Sequence, residues 1–230
     1  MISVKKAIAL VRENACTTTQ NKILNIQEAL YYVLAQDVLA TITMPPFRQS
    51  AMDGYALNLH NSLSYTVVGE IQAGSSIKKE LKSGEAVRIF TGAAVPDTAN
   101  AVIMQEKTTT TGTTLHVNEN PKPEANIRPV GEQIKQGDLA LQKGHKITPA
   151  SIGFLASLGI TEVSVFVKPK VAVVATGNEL TKSGKPLPYG KIYESNSVML
   201  ESALKQSGFY DVETFYLSDK YEETLNLIQK

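Results

Sequence analysis

In the first fourteen residues the apolar positions fall at Val4, Ala7, Ile8 and Val11. That spacing gathers them on one face of a helix, with Ser3 placed to cap it. QEALYYVL, residues 27–34, predicts a second short helix. After Pro45 the period changes. From about residue 55 to 120 the chain is short β-rich runs (YTVVGEI, EAVRIF, AVIMQE, TLHVN) broken by Gly, Pro, Asn, Asp and Thr, the texture of a compact all-β module. TTTTGTT, residues 108–114, reads as a hairpin tip. SIGFLASL then predicts a helix with Thr148 as N-cap, Pro149 in its first position and Gly159 just past its end. The strand ITEVSVFV follows. Residues 1–44 and 126–168 are expected to meet in space as one elongated domain, with residues 45–125 inserted between them as the β module.

Lys168-Pro169-Lys170 breaks the chain, and the pattern changes class. VAVVAT, residues 171–176, is a continuous β-branched run, the mark of a strand buried on both faces. Ser195 or Asn196 can cap a helix through SVMLESALKQS, closed by Gly208; YDVETFYL reads as a second strand and DKYEETLNLIQK as a second helix. Residues 169–230 therefore read as the start of a doubly wound parallel α/β domain, and the fold class as multi-domain α+β and α/β. Two strands bury little apolar surface between helices. The expectation is a truncated chain, or one whose sheet is completed by another chain. The alternative is a small split α/β cap docked on the rest.

Composition narrows the partners. A formal charge of +1 provides no electrostatic drive toward nucleic acid or an anionic membrane. With 43% hydrophobic and 20% charged residues, disorder is not expected over most of the length. The single Cys16 excludes an internal disulfide and fits a reducing compartment. Residues 1–12 lack a signal-peptide core and cleavage site, and no apolar run is long enough to span a bilayer, so a cytoplasmic protein is expected. His60, His116 and His145 are far apart, which disfavours a local zinc site.

The candidate chemistry is therefore in oxygens. Asp53 in PPFRQSAMDGYAL, residues 45–57, either belongs to an Asp-Gly turn, in which Gly54 accepts positive φ, or is an acid presented for function. Glu179 follows the first α/β strand in T-G-N-E-L, where Gly177 permits a tight turn, and Asp219 follows the second. Open parallel sheets bind ligands beyond the carboxyl ends of their strands, so two carboxylates there suggest a hard cation such as Mg²⁺ held partly through a phosphate. The other reading is that both acids simply favour helix N-termini. In RIFTGAAVPDTANAVIMQE, residues 88–106, the loop after Thr91-Gly92 offers amides and the Thr91 hydroxyl to an oxyanion, or is an ordinary wide hairpin.

Together, PPFRQSAMDGYAL, RIFTGAAVPDTANAVIMQE, NIRPVGEQIKQGD, PASIGFLASLGITEVSVF, VAVVATGNEL and IYESN resemble, in order and over essentially the whole chain, the molybdopterin molybdenumtransferases, the MoeA-type proteins of molybdenum cofactor synthesis. The resemblance implies insertion of molybdenum from molybdate into adenylylated molybdopterin with release of AMP, assisted by a divalent cation. It implies an elongated homodimer with its cleft between the α/β domain of one protomer and the β module of the other, and a molybdopterin adenylyltransferase as upstream partner. By matching motifs it makes Asp53, Thr91 and Glu179 catalytic, Thr91, Gly92, Gly177 and Asn196 substrate-binding, and Glu179, Asp219 and Asp53 metal ligands. Two positions depart from the family pattern: Arg48 stands where an acid is common, and Gln133 where G-E-D is common. The family's later pterin-binding loops and C-terminal β domain are not among these 230 residues, which leaves a non-catalytic dimerisation or scaffold fragment needing a separate pterin-binding chain as the alternative.

Overall fold

The computed structural model describes residues 2–229. They form two compact units, Val38–Ala140, and Met1–Asp37 together with Leu141–Lys230.

The first unit is built on a six-stranded mixed sheet. Its strand order is Ala101–Met104, Gly54–Leu57, Glu85–Ile89, Ser64–Ile71, Thr114–Val117, Thr108–Thr111. Every pairing is antiparallel except Ser64–Ile71 with Glu85–Ile89. The central strands are buried on both faces because successive side chains point opposite ways. Ala56, Val87 and Val102 join Ile71 and Ile89 in one apolar cluster, while Leu57, Ala86 and Ile103 join Tyr65 and Leu115 in another. The TTTTGTT tract closes a hairpin over Gly112-Thr113, as its composition predicts. The unit reaches beyond residues 45–125: Met44 bridges to Ile134, and the Ala40 amide donates to the Asp138 carbonyl at 2.9 Å.

In the second unit, helix α1 (Val4–Asn14) begins at Ser3, whose side chain accepts from the Lys6 amide, and strand Asn21–Asn25 pairs antiparallel with Glu162–Phe166. Helix α2 (Pro149–Ser157) carries its cap at Thr148 and proline at the first turn, as predicted. Residues 27–34 are not helical. Tyr31 adopts φ +63°, Leu34 bridges to Val165, and the backbone of residues 31–34 bonds to residues 145–147 instead. Eight residues are too few for local propensity to outweigh tertiary bonds that also bury Ala29 and Leu34 completely.

Strands Val171–Thr176 and Val212–Leu217 pair in parallel, with helices α3 (Asn196–Gln206) and α4 (Tyr221–Ile228) following them in the predicted alternation. Lys230, counted in the last helix from its pattern, lies outside the described residues. The expectation of burial on both faces fails: Val173 is buried, but Val174 is 39% exposed. With one neighbouring strand, the two-stranded sheet leaves apolar side chains uncovered.

Candidate functional site

Asp53 sits in the bend immediately before strand Gly54–Leu57, and Thr91 follows strand Glu85–Ile89, the sheet neighbour of that strand. The register places Gly54 opposite Ile89, so the end of one strand meets the start of the other. One carboxylate oxygen of Asp53, Oδ1, accepts both the Thr91 amide and the Thr91 hydroxyl, each at 2.7 Å. These two bonds, the amide first, hold the Asp53 carboxyl below its ordinary range, with the Arg88 guanidinium adding a smaller pull. The acid is exposed and ionised at neutral pH.

Gly54 has a different task from the one a turn would give it. It begins a strand without positive φ, and an added Cβ would lie 1.8 Å from the Ile103 carbonyl oxygen. The residue is glycine because the neighbouring backbone crosses directly over it.

The loop after Thr91 is not an open cradle of amides. Thr91 donates to Asp53, Gly92 to the Ser50 carbonyl, Ala93 to Phe90 and Val95 to Arg48. The oxyanion reading therefore gives way: these amides are already used, three of them stitching the loop to residues 48–53. Gly92 supports this by adopting φ +85°, a left-handed conformation natural to glycine. Arg48, one of the two departures, reinforces the same seam. It donates to the Pro96 and Asp97 carbonyls and, at 3.1 Å, to both carboxylate oxygens of Glu124. Gln133, the other departure, is exposed beside a cavity of about 340 Å³ that it lines with Glu132, Gln49 and Arg128.

Thr91→Val isolates the hydroxyl's share. Losing it while the amide remains is expected to raise the Asp53 pKa toward the ordinary aspartate value, read by NMR titration of the carboxyl carbon. An unchanged titration would show that the hydroxyl contributes nothing to the acid.

The other candidates belong to the second unit. The paired strands end in register at Thr176 and Leu217, so their loops emerge at the same edge, as predicted. Asn178 and Asp219 exchange bonds there: the Asn178 amide donates to Asp219 Oδ2 at 3.4 Å, and the Asp219 amide to Asn178 Oδ1 at 3.3 Å. Glu179 is exposed, and its carboxylate folds back over Gly177; an added Cβ there would meet the Glu179 oxygens at 2.9 and 3.0 Å. Gly177 has φ +154°, so both space and conformation select glycine. Asn196 is exposed at the first position of α3. Among the described residues, no group of three or more His, Cys, Asp or Glu side chains is arranged to hold a metal ion. Asp53 pairs with Thr91 in the first unit, while Asp219 lies against the residue before Glu179 in the second.

One residue escaped sequence reasoning. Glu194, from IYESN, is only 4% exposed and accepts the Ser197 amide at 2.7 Å and the Ser197 hydroxyl. It takes over the capping of α3 expected of Ser195 or Asn196, since the Ser195 side chain makes no capping bond. The signal was present as an acid placed three residues before a serine at a helix start, a reversed form of the capping pattern. Glu194 also lines a cavity of about 340 Å³ with Gly177, Asn178, Lys182, Tyr216 and Ser218. Its carboxyl is held low first by the Ser197 hydroxyl and then by the amide. A depressed carboxylate contributes stability that is present above its unfolded value and lost as pH falls through the folded one. The stability difference between the native protein and Glu194→Gln is therefore expected to shrink below about pH 4.5, measured by thermal unfolding from pH 3 to 7. A difference that stayed constant across that range would remove the carboxylate from the cap.

The profile of the MoeA N-terminal region (domain I and II) matches residues 2–159. The chain belongs to the MoeA family. A Haemophilus influenzae relative named molybdopterin molybdenumtransferase is 42% identical over 210 residues, covering 90% of this chain and 52% of that protein. A Staphylococcus epidermidis protein of the same name is 36% identical over 237 residues, covering 100% of this chain and 56% of its own length. The crystal structure of the molybdopterin biosynthesis MoeA protein from Pyrococcus horikoshii OT3 superposes with a TM-score of 0.84 at 32% identity, over 100% of this chain and 64% of that one. The chain thus spans about half the length of the curated MoeA relatives it matches. No helix among the described residues is long and apolar enough to cross a membrane.

Proposed function

We propose that this MoeA-family chain acts in the insertion of molybdenum from molybdate into adenylylated molybdopterin, with release of AMP. The observation that carries the reading is the Asp53–Thr91 pair, an ionised acid held by two donors on a single oxygen, in a chain whose relatives carry the name molybdopterin molybdenumtransferase. An ionised Asp53 repels molybdate and phosphate. Its role is therefore toward a positive or hydrogen-bond-donating partner, either a divalent cation or the N–H groups of the pterin. Thr91 serves by keeping the acid charged and pointed. Gly92, Gly177 and Asn196 are the proposed substrate contacts.

Glu179 and Asp219 are the residues that would hold a divalent cation. The donor chemistry fits: exposed carboxylates beside the Asn178 side-chain oxygen make an all-oxygen set suited to Mg²⁺. When bound, such an ion would offset the negative charge of the phosphate and oxyanion groups. Homodimerisation, supply of substrate by a molybdopterin adenylyltransferase and a cytoplasmic location belong to the same proposal.

The test is molybdate-dependent release of AMP by the purified protein, with adenylylated molybdopterin and Mg²⁺. Release that requires molybdate supports the reading. Binding of the substrate with no AMP release under any molybdate concentration would overturn it.

A further inference from the structure

Away from both candidate places, a concavity of about 560 Å³ opens in the second unit between the end of strand Glu162–Phe166 and the turn after α3. Its polar lining includes Lys22, Lys168 and Lys170 beside Thr18, Gln20 and Asp211. Lys168 stacks 3.9 Å from the Tyr32 ring centre and donates to the Gly208 carbonyl at 2.6 Å. Lys22 lies over the same ring at 5.0 Å and reaches the Tyr32 hydroxyl at 3.4 Å. Lys170 lines the wall, and Lys146 sits over neighbouring Tyr31. Against these cations the lining holds one carboxylate, Asp211. None of the four lysines forms an ion pair, since the ion pairs among the described residues are Arg48–Glu124, Lys107–Glu119, Lys205–Glu201 and Lys220–Glu223.

Lysines that simply point into solvent need no partner. Lys168 is not of that kind: it is half-buried, and both it and the exposed Lys22 lie against the Tyr32 ring. The pKa of Lys168 is lowered first by burial and then by the charges of Lys146 and Lys22. The charges of Lys22 and Lys146 thus act on Lys168, and none of the three is ion-paired to a carboxylate among the described residues. Like charges kept together against their repulsion are the arrangement an anion stabilises. Ammonium point charges suit the spread charge of a phosphate, where a planar carboxylate would favour the arginine fork. The volume exceeds what a bare tetrahedral ion needs, and the Phe209 and Tyr210 side chains that complete the lining offer apolar surface to a larger body.

We propose that this lysine-walled concavity binds a phosphate-bearing small anion, with Lys22 and Lys168 as its principal contacts. The site is distinct from the Glu179–Asp219 edge. Free inorganic pyrophosphate and a nucleoside diphosphate carry the same phosphate chemistry, and the experiment separates them.

The experiment is calorimetric titration of the protein with pyrophosphate, with ADP and with adenosine, repeated at higher salt. Saturable binding of pyrophosphate is expected. It should weaken by about ten-fold or more in Lys22→Gln/Lys168→Gln and persist in Glu179→Gln/Asp219→Asn. ADP binding tighter than pyrophosphate identifies a nucleotide site; equal binding identifies a phosphate site; adenosine should not bind in either case. Lys22→Gln alone, at an exposed position, should give a smaller loss with circular dichroism unchanged, which covers the case in which the double variant misfolds. Binding that is absent for both phosphate probes, or indifferent to Lys22→Gln, or abolished by the Glu179/Asp219 changes, overturns the proposal.

Discussion

Asp53→Asn is expected to lower molybdate-dependent AMP release by on the order of 10²-fold or more while leaving the fold intact. The geometry makes this substitution unusually informative. Both Thr91 donors fall on Oδ1 alone. An asparagine carbonyl can accept both in the same position, so the bend before strand Gly54–Leu57 keeps its anchor. What disappears is the negative charge, which Thr91 and Arg88 otherwise hold in place well into the acid range. Asp53→Ala removes the anchor as well as the charge, and should lower turnover at least as far. The two variants together separate roles. If Asp53→Asn retains turnover within a few-fold of the native protein, the charge is dispensable and Asp53 returns to being a turn residue. The check is single-turnover AMP release alongside thermal unfolding.

Gly54→Ala is expected to be the most damaging small substitution in the β-rich unit. The new Cβ would lie 1.8 Å from the Ile103 oxygen and 2.8 Å from its carbonyl carbon, both backbone atoms that no side-chain rotation can clear. Strand Gly54–Leu57 is paired on both sides, to Glu85–Ile89 and Ala101–Met104, so relief would require spreading the sheet. A loss of about 3 kcal/mol or more follows from overpacking at such a site. For a chain of this size that corresponds to a fall in Tm of roughly 6–12 °C. Gly153→Ala is the matched control: it lies in α2 with nothing within 4 Å of an added Cβ, and should be neutral or stabilising by about 0.5–1 kcal/mol. Equal Tm values for Gly54→Ala and the native protein would show that the strands separate at no energetic penalty.

The Gly54 case also shows where reading by residue type stops. Asp-Gly is a turn signal, and a turn does precede the strand, but the glycine is demanded by a backbone 49 positions away in the chain. Nothing in the local pattern marks which glycines serve φ and which serve approach. The QEALYYVL segment fails for a related reason. Its apolar spacing suits a helix, yet residues 145–147 offer backbone partners that bury Ala29 and Leu34, and those bonds decide. At the start of α3 the local chemistry was present but misassigned, with Glu194 doing the work given to its neighbours.

What the sequence by itself determined is the set of elements whose signals are local and mutually consistent. These are α1 behind Ser3, α2 between Thr148 and Gly159, the short strands between residues 54 and 117, and the strand–helix alternation after Val171. Motif order further pointed to the family. The tertiary structure alone decided which groups meet. Asp53 and Thr91 are 38 residues apart and touch because their strands are sheet neighbours in one register. The loop amides that looked free are consumed by Asp53, Ser50, Phe90 and Arg48, and the lysines of residues 22, 146 and 168 converge on two tyrosines. Periodicity reports how each segment presents its faces to the solvent. Pairing register and close approach depend on atoms far along the chain, so they exist only once the segments have packed.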